Sequence, residues 1–213
     1  MKTDDLIAML ARDAGTVSRR VWLQRYCLAL GIGVLGASLL MVVLLGVRPD
    51  IAEAALLPMF WVKLAFPSAL AAAVLAAVIR LSRPGVPLGR LGPVIAAPVL
   101  AVWALAGLSL LDAAPEDRGM LVWGETWSDC LVNIPMLSLP AFIAFFWVMK
   151  TLAPVRPFLA GSAAGLMAGA LAAAVYALHC PELAPPFIAL WYVLGMCVPA
   201  LVGGALGSAL LRW

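Results

Sequence analysis

Six apolar stretches of about twenty residues leave this chain few places to fold other than a lipid bilayer. A helix rises about 1.5 Å per residue, so a run of that length spans the hydrocarbon core. The stretches run from about Cys27 to Val47, Met59 to Leu81, Pro93 to Leu111, Cys130 to Met149, Phe158 to Leu178 and Pro186 to Leu211. Charge, Pro or Gly bounds each one, and the connections are short. The expected fold is an all-α membrane protein with six transmembrane helices in three antiparallel hairpins. Of 213 residues, 65% are hydrophobic and only 12% charged, and mean hydropathy is +1.06. A soluble domain of this length has too much surface to cover with so few charges.

Orientation follows from the basic residues beside the helix ends. With the N-terminus inside, one face carries Lys2, Arg12, Arg19, Arg20, Arg25, Arg80, Arg83, Arg90, Lys150, Arg156 and Arg212, eleven of the fourteen. The opposite face holds Arg48 and Arg118, with Lys63 just inside the second run. Acids show the reverse bias, in agreement. Both termini are therefore expected to be cytoplasmic. Residues 1–25 form a polar cytoplasmic segment and residues 26–213 the transmembrane domain. That opening segment is too long and polar for the n-region of a signal peptide. No Lys/Arg run resembles a nucleic-acid-binding arm, and no direct nucleic-acid partner is expected.

Within the opening segment Thr3 is placed to cap a helix, with Asp4 and Asp5 in its first turn. Leu6, Leu10, Val17 and Val21 recur at helical spacing, widened by Ile7 and Ala14. Two uses fit this amphipathic pattern: a helix lying on anionic lipid, or a docking helix for a soluble partner. Gly161, Gly165 and Gly169 put a smooth stripe on the fifth helix, and Gly203 and Gly207 do so on the sixth. Such stripes let backbones approach closely. They suit either packing of these two helices on one another, the preferred reading, or a homo-oligomer face.

Chemistry concentrates on the outer face. His179-Cys180-Pro181-Glu182 holds the chain's one histidine, and Asp129 precedes Cys130 at the start of the fourth helix. Thiolate and imidazole suit a transient soft-metal ion. Outside a reducing cytosol the same thiols suit a disulfide, and each cysteine also fits simply as a small apolar residue ending a helix. Cys27 and Cys197 read as packing residues. Lys63 is the basic residue inside a span. It is expected to snorkel outward, with an ion pair to an outer acid as the alternative. No Asp or Glu lies deep in a run, which weighs against a transporter or channel for a metal or small solute. Without a CxxC pair or the motifs of common enzymes, an enzyme is not expected; a thiol oxidoreductase is the weakest alternative.

A family likeness runs through nearly the whole chain. MKTDDLIAMLARD at the start, WSDC and NIPMLSLP in the fourth helix, HCPE after the fifth, FIALWYVLGM and the terminal GGALGSALLRW together resemble NrsF-type membrane anti-sigma factors of proteobacteria. The resemblance implies a negative regulator that holds an extracytoplasmic-function sigma factor at the inner membrane until an envelope metal or oxidant stress arrives. It implies that Cys130 and Cys180 sense that stress, with Asp129, His179 and Glu182 at most tuning them. It further implies that Asp4, Asp5, Leu6, Ile7 and Leu10 contact the sigma factor.

Overall fold

The computed structural model describes residues 19–83, 85–152 and 154–211. The expected docking residues Asp4, Asp5, Leu6, Ile7 and Leu10 lie outside the described residues. Helix α1 (Arg19–Leu40) continues through a π-helical turn, Met41–Leu45, and stops at Gly46. A short turn α2 (Ile51–Ala54) leads into α3 (Pro58–Leu81), and α4 spans Leu91–Asp112. After α5 (Arg118–Trp123) come α6 (Trp127–Lys150) and α7 (Pro157–Tyr176). The one-turn α8 (Pro185–Phe187), a π-helical segment Ile188–Tyr192 and α9 (Val193–Leu210) form the last run. Among the described residues six helical runs are long and apolar enough to cross a membrane: Leu23–Leu45, Pro58–Leu81, Leu91–Asp112, Arg118–Lys150, Pro157–Tyr176 and Pro185–Leu210. They coincide with the six stretches marked by composition.

Helix α7 sits at the centre because it has almost no side-chain bulk to keep neighbours away. Its sequence, PFLAGSAAGLMAGALAAAVY, is mostly Ala and Gly, and it packs against α1, α3, α6 and, most extensively, α9. A Cβ added at Gly161 would collide with the Gly203 carbonyl, and one at Gly165 with the Pro199 carbonyl. The expected packing of the two glycine stripes on one another is therefore what forms, and the stripe is consumed within the chain. Sequence neighbours are not always the main partners. Helix α1 packs chiefly on α6, and α3 packs more on α7 than on α4. Short connections limit where the next helix starts, while side-chain size decides which helices can come close.

The outside of the bundle is apolar. Leu35, Leu39 and Val43 on the first run and Leu100, Leu108 and Leu111 on α4 are exposed. Against water such a continuous surface favours aggregation; against lipid tails it has little to lose. Helix α4 is the most peripheral, burying only Leu91, Val102 and Ala106. Two ends are distinguishable by their contacts. At one, Tyr26 hydrogen-bonds Ser82 and Arg25 donates to Thr151. At the other, the turns after α1, α5 and α7 meet.

Gly165→Leu forces backbone carbonyls of α9 away from α7 and is expected to cost about 3 kcal/mol. Gly107→Leu, where a Cβ meets nothing within 4 Å, is expected to be close to neutral. Thermal unfolding of both variants in detergent checks the contrast.

Candidate functional site

The chain between α7 and α8 is irregular and lies under the end of an apolar bundle. Its carbonyls must find donors, because water is scarce where backbone is buried among apolar helices. The loop after the first span and the second span itself supply them. The Arg48 backbone N–H donates to the Leu178 carbonyl at 3.2 Å. The Arg48 guanidinium reaches the Cys180 and Pro181 carbonyls at 3.4 Å each. Lys63 Nζ donates to the Cys180 carbonyl at 2.6 Å and to the Glu182 carbonyl at 2.7 Å. Two cations thus converge on three consecutive carbonyls, those of Cys180, Pro181 and Glu182.

Lys63 is fully buried, with 0% of its surface exposed. It neither snorkels outward nor pairs with an outer carboxylate, which corrects both expectations drawn from its position in sequence. The reason is local competition: buried carbonyls lie within hydrogen-bond reach of the ammonium, and each unsatisfied one would cost about 1–3 kcal/mol. The ammonium's third direction faces the Tyr192 ring, whose centroid is 5.5 Å from Nζ, a cation–π distance. Arg48 is tied down in turn by a forked ion pair with Asp50, Nε to Oδ1 at 2.8 Å and Nη2 to Oδ2 at 2.6 Å. Those hydrogen bonds hold the Asp50 carboxyl below its ordinary range. Among the described residues it is the one ion pair that forms.

This clamp positions a thiol pair. Cys130, one turn into α6, and Cys180, in the clamped loop, are both fully buried and both free. Their thiols lie close enough to interact electrostatically. The two residues expected to sense together are therefore brought into contact across 50 positions of sequence. Cys130 Sγ also lies 3.8 Å from the Tyr176 hydroxyl, which is shared with Asn133. The Tyr192 hydroxyl lies near the Cys180 thiol and is buried without a hydrogen-bond partner. Cys180 lies outside the spans. Its thiol is held below the ordinary range, first by its interaction with Cys130 and then by the Lys63 charge, against the opposing effect of burial.

The other expected site residues take different partners. His179 Nδ1 lies 2.8 Å from the Gly46 carbonyl, which can only accept, so Nδ1 carries the proton. Its ring sits 5.6 Å from that of Tyr176. Gly46 makes this bond possible because its φ of +79° turns the chain out of α1's path. One Glu182 carboxylate oxygen accepts from the Glu125 backbone N–H at 2.9 Å. Asp129 is exposed in the first turn of α6, where the helix end favours a carboxylate. Among the described residues no three His, Cys, Asp or Glu side chains gather as a metal-binding group. Trp123, Trp127 and Trp191 close this end as a cluster with centroids 4.9–5.4 Å apart. The Trp191 indole N–H donates to the Val122 carbonyl at 2.8 Å.

Sequence reasoning passed over Arg48, Tyr176 and Tyr192. Arg48 was visible as one of the few bases on the acidic face, two residues from Asp50. The tyrosines were visible as the few hydroxyls within apolar runs.

The fold and site define an all-helical protein with six runs able to cross a membrane and a clamped thiol pair at one end. A family model described as negative regulator of sigma F (NrsF) matches residues 10–213. The chain is 55% identical over 213 residues to the probable anti-sigma-F factor NrsF of Azospira oryzae, covering 100% of both chains. It is 43% identical over 215 residues to the anti-sigma-F factor NrsF of Caulobacter vibrioides, again covering 100% of both. No solved structure matches. The chain belongs to the NrsF family of negative regulators of a sigma factor, a regulatory and not an enzymatic role.

His179→Ala removes one loop-to-loop hydrogen bond and is expected to lower stability by about 1 kcal/mol. Both thiols should remain titratable with a small thiol reagent after unfolding. Thermal unfolding and thiol counting on the purified variant check this.

Proposed function

We propose that this chain sequesters an extracytoplasmic-function sigma factor at the bacterial inner membrane and releases it when chemistry occurs at Cys130 and Cys180. Family membership along almost the whole chain carries the reading. In this reading both termini are cytoplasmic, residues 1–25 dock the sigma factor, and the thiol end faces the envelope. The charge distribution supports that orientation. Arg80, Arg83 and Arg156 line a pocket of about 260 Å³ at the end opposite the thiols, as the excess of cytoplasmic Lys and Arg requires.

The contact between the two thiols supports the sensing half. A hydroperoxide is a sufficient oxidant. The Cys180 thiolate attacks one peroxide oxygen, the O–O bond breaks, and an alcohol or water leaves with the other oxygen. Cys180 is then a sulfenic acid. The Cys130 thiol attacks its sulfur, an S–S bond forms and water departs. The two electrons lost by the thiols have reduced the peroxide. A soft metal ion held by both sulfurs is the second chemistry this donor pair accepts. Either stimulus must favour the released state by about 5.5 kcal/mol for a swing from 1:99 to 99:1, a scale that a covalent bond or two metal–thiolate bonds can meet.

Replacing both residues, Cys130→Ser with Cys180→Ser, should leave the protein inserted and repressing. Stimulated expression from a sigma-dependent reporter should drop to within about twofold of the unstimulated level. Full induction in the double variant would overturn the sensing assignment. A peptide of residues 1–25 should retain the cognate sigma factor in a pull-down, and Leu6→Asp with Leu10→Asp should abolish retention. Failure of both the peptide and the intact protein to bind would remove the docking assignment.

A further inference from the structure

The Cys180 loop is not held by its own helices alone. Its tightest polar ties are to Lys63, 117 positions away on α3. That helix also reaches the opposite end of the bundle. Ser82, immediately after α3, shares a buried 2.5 Å hydrogen bond with Tyr26 of α1. Tyr26 stands directly after the segment that leads to the N-terminus. From Lys63 to Ser82 is 19 residues of nearly continuous helix, about 28 Å at 1.5 Å per residue. One helix therefore touches the thiol loop at one end and the start of the first span at the other.

The geometry points to Lys63 as a positioning residue that ties the Cys180 loop to α3, so that a change at the thiol pair is delivered through this helix to Tyr26 and the N-terminal segment. The inference rests on the sensing reading given above and adds a route and a residue to it.

Three further observations support the tie. Both carbonyls that Lys63 serves belong to the sensor loop, those of Cys180 and Glu182, and its third direction is taken by Tyr192, whose hydroxyl lies near the same thiol. All of the ammonium's interactions are thus with the sensor and none with its own helix. Pro67 lies within α3, four residues on. Without an N–H it cannot bond the Lys63 carbonyl, so the turn bearing Lys63 is the one most able to bend. The remainder of α3 packs firmly along α7, burying Leu70, Val74 and Val78. Pulling on Lys63 therefore moves a soft turn attached to a stiff rod. Coupling between distant sites needs such a contiguous physical link.

The test uses the full chain in membranes, with Lys63→Met, Lys63→Arg and Ser82→Ala. Hydroperoxide is the stimulus. Oxidation of the thiol pair is read by alkylation and mobility shift, and release by the sigma-dependent reporter. Lys63→Met also removes a cation from beside the Cys180 thiol, so it should form the Cys130–Cys180 disulfide more slowly, yet at equal disulfide content it should lose about tenfold of its induction. Lys63→Arg, which keeps a donor cation, should restore at least about half of it. Ser82→Ala should also weaken induction with thiol oxidation unchanged. Induction by Lys63→Met within about twofold of wild type, with the pair oxidised, would overturn the proposal.

A second readout needs no signalling. In unstimulated protein, at a pH high enough to ionise Cys180 without Lys63, Cys180 alkylation should quicken about tenfold in Lys63→Met while Cys197 is unchanged. Continued protection of Cys180 would disprove the tie whatever the thiols sense. An absence of any thiol-dependent response in wild type, with Cys180 freed by Lys63→Met, would instead sink the sensing reading and leave the tie standing. If Lys63→Met does not accumulate, Ser82→Ala and Tyr26→Phe decide, and full induction in both would overturn the route.

Discussion

A buried ammonium in a cage of carbonyl oxygens holds this structure's functional end together. The break between α7 and α8 leaves backbone oxygens beneath a Trp-capped apolar bundle, and Lys63 from the second span and Arg48 from the loop after the first answer them. The arrangement is mutually dependent. Without the cations the loop would carry unsatisfied carbonyls, and without the carbonyls Lys63 would be a bare charge among apolar helices. Cys180 owes its place beside Cys130 to this exchange. The two π-helical segments fall at the same end, one leading to Gly46 and the other carrying Tyr192. Such insertions often mark sites where helix geometry has yielded to function.

The rest of the bundle is organised by how little side chain it contains. Helix α7 lets α9 approach until carbonyls occupy the space of missing Cβ atoms, which gives a tightly matched pair that resists shear. Helix α4 is weakly buried and α1 leans on α6. The molecule thus combines a rigid small-residue core with outer helices that have fewer contacts to lose. Helix α3 bridges these parts: it packs on α7 in the middle and touches the thiol loop and α1 near its ends.

The thiol pair itself is chemically unequal. Cys130 is set in a helix turn near a tyrosine hydroxyl, while Cys180 lies in a loop whose peptide carbonyl is held by a cation. A buried positive charge with carbonyls but no carboxylate is best complemented by a thiolate. In the proposed peroxide reaction this suits Cys180 to be the nucleophile of the two and Cys130 the resolving thiol.

The six spans, the polar opening segment and the glycine stripes were legible in the sequence. Each depends on composition or spacing along one chain: about 20 apolar residues cross a bilayer, and small residues four apart share a helix face. The thiols could be named, but their contact could not be read. Residues 130 and 180 meet only because α6 and α7 pack side by side, which is a property of side-chain volume summed over both helices. Lys63 shows the limit most clearly. Its neighbours in sequence pointed it to the membrane boundary, since a long stem usually carries its charge to water. Only the tertiary structure decided otherwise, because the oxygens that hold it belong to a loop more than a hundred residues away. What a residue is and how it repeats is written locally; which buried charge answers which buried carbonyl depends on helices meeting in space.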